Sequence, residues 1–180
     1  ASLLLFNEKG EPRTTTNEIA NEVDISPGNL HYHFRRKEQI VEALLDAFQA
    51  DAQHVLQPPH VEGISLDDFW VFLHSLLECT AAYRFLFRDI EALADTYPRA
   101  GRVLGKFAKV LQGVFEIYLR ELARGRYLNL SDSDASLVSR NLAVIALFSE
   151  RFDGLAGHVK SADDSALSVA GSILSVLKPF

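Results

Sequence analysis

Residues 14–37 read TTTNEIANEVDISPGNLHYHFRRK and predict two short helices joined by a tight turn. Thr15 stands three residues before Glu18, the spacing of a capping box, in which each side chain accepts a hydrogen bond from a free backbone N–H at the helix start. Ser26 and Pro27 provide an N-cap hydroxyl and a proline at the first position of a second helix. Two helices in this arrangement are typical of a helix-turn-helix.

Side-chain spacing gives each predicted helix a buried face. Ile19, Ala20 and Val23 share one face of the first helix, and Leu30 and Phe34 lie one turn apart on the second. The exposed positions of the second helix are then Gly28, Asn29, His31, Tyr32 and His33. In helix-turn-helix docking, the second helix enters the major groove of DNA and its first residues contact base edges.

These exposed residues predict two kinds of DNA contact. We expect Asn29 and His31 to contact bases. Phosphate contacts suit other polar groups, which position a protein on DNA without reading its sequence; they are Tyr32, His33, Lys37, Thr15 and Thr16. Pro27 and Gly28 belong to the same predicted surface because helix N-termini attract phosphate. A hairpin with a Ser-Pro cap also occurs in helical proteins that bind no DNA.

As a group, several short motifs resemble the DNA-binding domain of TetR-type bacterial transcription regulators: Thr15-Thr16, Ile19-Ala20, Ser26–Leu30, Tyr32–Phe34 and Lys37-Glu38. The resemblance extends from Leu3 to about Gln57. It implies an all-α chain, in which an N-terminal helix-turn-helix domain binds operator DNA and a larger helical domain dimerises and holds a small effector. It also implies phosphate contacts for Tyr32, His33 and Lys37. The chain departs from the family at His31, where many members carry a second aromatic residue, and it begins at Ala1, partway into the family's first helix.

The charge of this region keeps an alternative open. Residues 1–57 contain five Lys or Arg and nine Asp or Glu, a net charge of −4, and their one basic cluster is Arg35–Lys37. A DNA-binding surface normally shows a basic patch. The alternative is therefore a helical ligand-binding or partner-binding module that does not bind DNA.

The rest of the chain has helical periodicity and no alternating strand pattern. Pro58-Pro59 predicts the end of a helix and a linker from His60 to Ile64, which divides the chain into domains 1–57 and 58–180. The predicted helices are Lys37–Leu56, Leu66–Thr80, Ala82–Asp95, Pro98–Arg124, 132–155 and 162–177. Gly101, Gly105 and Gly113 lie in the long predicted helix Pro98–Arg124, and each lowers the stability of that helix by about 1 kcal/mol relative to Ala. Close helix packing, or a kink that makes room for a ligand, would offset that cost.

The last two helices predict a dimer interface. The final helix carries two apolar stripes, and residues 142–148 are apolar all round, so both need a second packing partner. The predicted interface residues are Leu142, Ile145, Phe148, Leu167, Ala170, Leu174 and Leu177. A two-fold dimer places two recognition helices about 34 Å apart, or a multiple of it, on a near-palindromic operator.

Aromatic residues concentrate in the second domain and predict an apolar pocket for a small hydrophobic effector. The candidate lining residues are Phe69, Trp70, Leu73, His74, Phe85, Arg88, Phe107, Phe115 and Tyr118. An ordinary aromatic core would show the same helical spacing.

Several function classes are disfavoured. The sequence contains no His-Glu-x-x-His motif and no glycine-rich phosphate loop, so we expect neither an enzyme nor a metal or cofactor site. The single cysteine, Cys79, excludes an intrachain disulfide and fits a reducing cytoplasm, where we expect it to be a small buried side chain. The longest apolar run, residues 142–148, is far shorter than the ~20 residues of a membrane span, and no leader pattern is present. A cytoplasmic location is therefore expected.

Overall fold

The computed structural model describes residues 1–58, 63–157 and 162–180 and is all-α. Its described residues form ten helices and no strand. The helices are α1 Ser2–Lys9, α2 Thr16–Glu22, α3 Pro27–His33, α4 Lys37–Val55, α5 Leu66–Ala82, α6 Arg84–Arg88, α7 Ile90–Thr96, α8 Pro98–Arg124, α9 Asp132–Leu155 and α10 Ala162–Leu177. Most of the predicted linker, residues 60–62, lies outside the described residues. The predicted division at residue 57 stays a prediction.

The predicted starts of α2 and α3 are confirmed. Glu18 N donates to Thr15 Oγ1 at 3.2 Å and Thr15 N donates to Glu18 Oε2 at 2.8 Å, which completes the capping box. Ser26 Oγ accepts from Asn29 N at 3.1 Å at the start of α3. Asp24 adopts a φ of +53° in the turn between the helices, a conformation that Asp tolerates better than most residues.

The predicted buried faces of these helices are confirmed except at one position. Ile19, Ala20 and Leu30 are buried, and Phe34 packs partly buried against the core. Val23 is exposed because it is the C-cap of α2 and has left the helical path.

The helix predicted from Ala82 to Asp95 is two helices. Asp89, with φ −127° and ψ 46°, interrupts it between α6 and α7. Three consecutive residues of α6, Phe85–Phe87, are all buried, because α6 packs against α1, α5, α7 and α9. A single amphipathic helix could not bury three consecutive side chains on one face.

The long helix α8 has the predicted bounds, and its glycines differ from one another. Gly101 packs closely on α7, since a Cβ placed there would lie 3.0 Å from Ala94 Cβ. Gly105 and Gly113 face open space. Close helix packing therefore accounts for one of the three glycines.

One hydrophobic core connects the N-terminal helices with the rest of the chain. At its centre, the ring of Phe48 on α4 packs edge-to-face on Tyr83, Phe87 and Phe107, with centroid distances of 5.3, 5.7 and 5.1 Å. Because α4 begins beside the helix-turn-helix and ends in this core, it is the element that links the two parts.

Candidate DNA-binding surface

The polar side chains of α3 face solvent. Asn29, His31, Tyr32 and His33 are all exposed, and Tyr32 has 82% of its surface accessible. The ring of Tyr32 packs edge-to-face on His33 at 5.3 Å. Within the described residues the side chains of Asn29 and His31 make no hydrogen bond, so their polar atoms are available to a partner.

An open groove lies between the starts of α2, α3 and α4. It brings together six of the nine predicted DNA-binding residues: Thr15, Thr16, Pro27, Gly28, His31 and Lys37. Arg35 and Arg36 also line it. The other three predicted residues, Asn29, Tyr32 and His33, lie on α3 outside the groove. The nine residues thus lie on α3 and on the walls of one groove beside it.

Lys37 is held by the protein itself. Its ammonium nitrogen Nζ forms an ion pair with Glu11 Oε1 at 2.7 Å and donates to the backbone oxygens of Glu11 at 3.0 Å and Thr14 at 3.1 Å. An ammonium has three N–H groups, and these three acceptors match that number. In the unbound protein Lys37 therefore clamps the turn between α1 and α2, and its contact with phosphate stays a prediction.

Glu11 connects this clamp to the second part of the chain. Its side chain is buried, and its Oε1 accepts a hydrogen bond from the hydroxyl of Tyr97 at 2.6 Å. Burial, followed by the bond to Glu11, raises the pKa of Tyr97 above its ordinary value. Sequence reasoning identified neither residue, because they are 86 positions apart and no local spacing marks the pair.

Other cations near the groove differ in how far they are neutralised. Lys9 pairs with Glu18 at 3.0 Å and Arg36 pairs with Glu38 at 3.2 Å. Arg13 and Arg35 are exposed and form no ion pair within the described residues. The unpaired cations of this region are therefore two arginines among the described residues, of which the sequence cluster included only Arg35.

Two family models together match almost the whole chain. The model of bacterial regulatory proteins of the tetR family matches residues 1–44, and the TetR model, described as bacterial transcriptional repressor, matches residues 47–180. This chain belongs to the TetR family. Family members are transcription regulators and not enzymes. They bind operator DNA as dimers and respond to small molecules.

Individual relatives agree with this assignment. A TetR-family transcriptional regulator of Marinobacter aquaeolei VT8 is 29% identical, with a TM-score of 0.87 over 99% of this chain and 86% of that one. A TetR-family protein of Rhodococcus sp. shares the fold at 18% identity, with a TM-score of 0.64 over 98% and 95% of the two chains. The biofilm operon icaADBC negative regulator IcaR of Staphylococcus epidermidis is 25% identical over 122 residues, 67% of this chain. The match spans 58% of the length of IcaR.

The residues predicted to line one effector pocket in this TetR-family chain do not share a cavity. Phe69, Phe115 and Tyr118 pack with Phe72 as core, and the rings of Phe72 and Tyr118 stack at 4.7 Å. The remaining residues lie in different places. Trp70, Leu73 and His74 line a groove between α5 and α10, and Phe107 lines a groove between α4 and α8. Phe85 packs against Phe6, and the guanidinium of Arg88 donates to the backbone oxygens of Phe6 and Asn7. The predicted residues therefore do not line one shared pocket in this structure, and an effector site in this part of the chain stays a prediction.

The predicted dimer residues divide into two sets. Leu142, Ala170 and Leu177 are buried in the chain's own core and Ile145 is partly buried, so the first three are corrected to core residues. Phe148 is exposed, and Leu167 and Leu174 have 69% and 44% of their surfaces accessible. Further exposed apolar residues of α9 were not predicted: Leu137, Val144, Phe152 and Leu155.

Three remaining observations concern a metal site, a membrane span and the single cysteine. No three His, Cys, Asp or Glu side chains cluster as a metal site in residues 1–58, 63–157 and 162–180. No helix in the same ranges is long and apolar enough to span a membrane. Cys79 is buried as predicted, and burial together with the nearby Asp51 carboxylate raises the pKa of its thiol to about 11.

Proposed function

We propose that this TetR-family chain is a ligand-responsive repressor that binds a near-palindromic operator as a dimer and is released by a small hydrophobic effector. The exposed polar face of α3 beside the groove carries this proposal. A recognition helix needs side chains that are free to contact bases, flanked by groups that hold phosphates. Asn29 and His31 have the first property, and Thr16 and Arg35 line the groove beside them and suit the second role. The Thr15 hydroxyl is engaged by Glu18 in the capping box.

The dimer follows from an apolar surface on the last two helices. The exposed residues of this surface are Leu137, Val144, Phe148, Phe152, Leu155, Leu167 and Leu174. On α9, four of them recur at spacings of seven, four and four residues, from Leu137 through Val144 and Phe148 to Phe152, and so share one face. Contiguous exposed apolar residues mark an interaction site, and a second copy provides the complementary face.

Two descriptions of related proteins support repression of transcription rather than activation. The family model over residues 47–180 is that of a bacterial transcriptional repressor, and IcaR is described as a negative regulator. If an effector releases the operator, linkage requires that it bind the DNA-free protein more tightly than the complex.

A second candidate function is a partner-binding or ligand-binding module without DNA affinity. The net charge of −4 over residues 1–57 and the neutralisation of Lys37 by Glu11 favour it. Both features weaken the attraction to phosphate that supplies most non-specific affinity.

Selection of sites from random DNA by the purified full-length protein separates the two functions. For the regulator we expect an enriched near-palindromic site, and its affinity, measured by fluorescence anisotropy, should fall steeply as salt rises. A scrambled site of the same composition is the control. An absence of enrichment, or equal affinity for both sites, would contradict the regulator and favour the module.

A further inference from the structure

An open groove between α4 and α8 has the size of a small-molecule site. It encloses about 500 Å³ and is lined by Phe48, Gln49, Ala50, Ala52, Gln53, Leu56, Val103, Lys106, Phe107 and Val110. Small-molecule sites typically enclose about 300–1,000 Å³ and combine an apolar lining with a few polar groups. The rings of Phe48 and Phe107 meet at 5.1 Å and, with Ala52, form an apolar floor.

The polar lining of this groove favours an anion. Lys106 is the one charged residue that lines it, and the amides of Gln49 and Gln53 are the other polar side chains. Lys106 is exposed and forms no ion pair within the described residues. From residue 98 to residue 115, α8 carries four Lys or Arg and no Asp or Glu. The groove therefore combines an apolar floor with a rim at which Lys106 has no carboxylate partner among the described residues.

We propose that this groove binds a small amphipathic monoanion, a carboxylate with an apolar body. The carboxylate pairs with Lys106, and the body lies on Ala52, Phe107 and the more exposed Val110, above the buried ring of Phe48. A neutral apolar molecule gains the same contacts with the floor but leaves Lys106 without a counter-ion. The role of this molecule as the effector rests on the proposed function above.

One side chain joins the groove to the contact between α4 and α8. Gln49 lines the groove, and its Oε1 accepts a hydrogen bond from Arg99 Nη2 at 3.0 Å. Arg99, near the start of α8, also pairs with Glu42 and Asp46 on α4. A carboxylate occupant accepts a hydrogen bond from Gln49 Nε2, while Gln49 Oε1 keeps its bond from Arg99. Occupancy of the groove therefore acts on the contact between α8 and the helix that leads to the helix-turn-helix.

Calorimetric titration of the full-length protein without DNA tests the site, with octanoate and 1-octanol as probes. We expect octanoate to bind about tenfold more tightly than 1-octanol, since it adds a charged contact to the same apolar body. Lys106→Gln should remove this preference. Lys109→Gln is the matched control, because Lys109 is an exposed lysine on the same helix that does not line the groove. Thermal unfolding of both variants checks that they fold.

A second variant tests the location. Val110 lies at the exposed rim, and Val110→Trp should fill the groove and abolish binding of both probes. Equal affinity for the two probes, an unchanged preference in Lys106→Gln, an equal loss in Lys109→Gln, or full binding by Val110→Trp would each overturn the proposal. Since the titration contains no DNA, its failure leaves the operator selection, and thus the proposed regulator, to stand on its own result.

Discussion

Tyr97 donates its hydroxyl hydrogen to Glu11 Oε1 at 2.6 Å, across the boundary between the helix-turn-helix and the helices that follow it. The same oxygen lies 2.7 Å from Lys37 Nζ at the start of α4. Because Glu11 is buried, both partners contribute to holding its charge away from water. The turn before α2 is thereby fixed from two sides.

Removal of the Tyr97 hydroxyl tests this arrangement. Tyr97→Phe should lower the free energy of unfolding by about 1–3 kcal/mol, because it deletes a hydrogen bond to a charged group. Tyr32→Phe removes the same hydroxyl from an exposed ring and should leave stability unchanged. Urea unfolding measures both, and equal stabilities of the two variants would contradict a role for the Tyr97–Glu11 bond.

Arg35 and Lys37 should differ in their effect on salt dependence. Arg35→Ala should lower the slope of log affinity against log salt by about one, because a free cation that releases a counter-ion on binding is lost. Lys37→Met should instead lower stability by about 3 kcal/mol, since it leaves Glu11 buried without its cation. Anisotropy titrations and urea unfolding provide the two readouts. A full unit of slope lost in Lys37→Met would show that Lys37 exchanges a protein acceptor for a phosphate when DNA binds.

Base reading by α3 predicts losses that depend on sequence. Asn29→Ala and His31→Ala should each cost about 1–3 kcal/mol on the selected operator and little on the scrambled site. Tyr32→Phe should weaken both sites alike if Tyr32 contacts phosphate. Competition binding with single-base operator variants assigns the position that each residue reads. A uniform loss across all sequences would argue against base contacts by Asn29 and His31.

The apolar surface of α9 and α10 predicts a dimer that one charge disrupts. Leu174→Arg should yield monomers in sedimentation analysis, and these monomers should no longer bind the two half-sites of an operator together. Val71→Arg is the control, because Val71 is an exposed apolar residue of α5, away from that surface. If Leu174→Arg sediments as a dimer, the interface lies elsewhere.

The capping box of α2 predicts a dependence of stability on pH. The backbone N–H of Thr15, followed by Lys9 and the Thr15 hydroxyl, lowers the pKa of Glu18 from 4.5 to about 2. The folded state thus favours the ionised carboxylate, so this stabilisation is present above pH 4.5 and is lost as the pH falls towards 2. Urea unfolding across this range should show a smaller loss for Glu18→Gln than for the natural protein. Glu22→Gln, on the same helix and outside the capping box, should behave like the natural protein.

Most helix bounds were predictable because they depend on local chemistry. Thr15, Ser26, Ser65 and Ser131 each cap the helix that follows, and all four precede it by one position in the sequence. The break at Asp89 was not predictable in this way, because the apolar spacing from Ala82 to Asp95 suits one helix as well as two until the burial of all three residues Phe85–Phe87 is known. Its position is set by packing on all sides of α6, which no local pattern encodes.

The site was predictable only where its residues face solvent. The exposed side of α3 follows from helical periodicity, whereas the ion pair of Lys37 with Glu11 depends on how the α1–α2 turn meets α4. The dimer residues illustrate the same limit. Leu167, Ala170, Leu174 and Leu177 form one apolar stripe in the sequence, which could not show that the chain's own core covers Ala170 and Leu177 but not Leu167 and Leu174.

The close approach of Gly101 to Ala94 sets the spacing between α7 and α8. Side chains larger than these would force α7 and α8 apart, and Tyr97 lies at the junction between the two helices. A tilt of α7 or α8 that moves the Tyr97 hydroxyl away from Glu11 would break the hydrogen bond that holds the turn before α2. Two small residues, Gly101 and Ala94, thus help to set the position of Tyr97, whose hydroxyl binds Glu11 in the turn before α2.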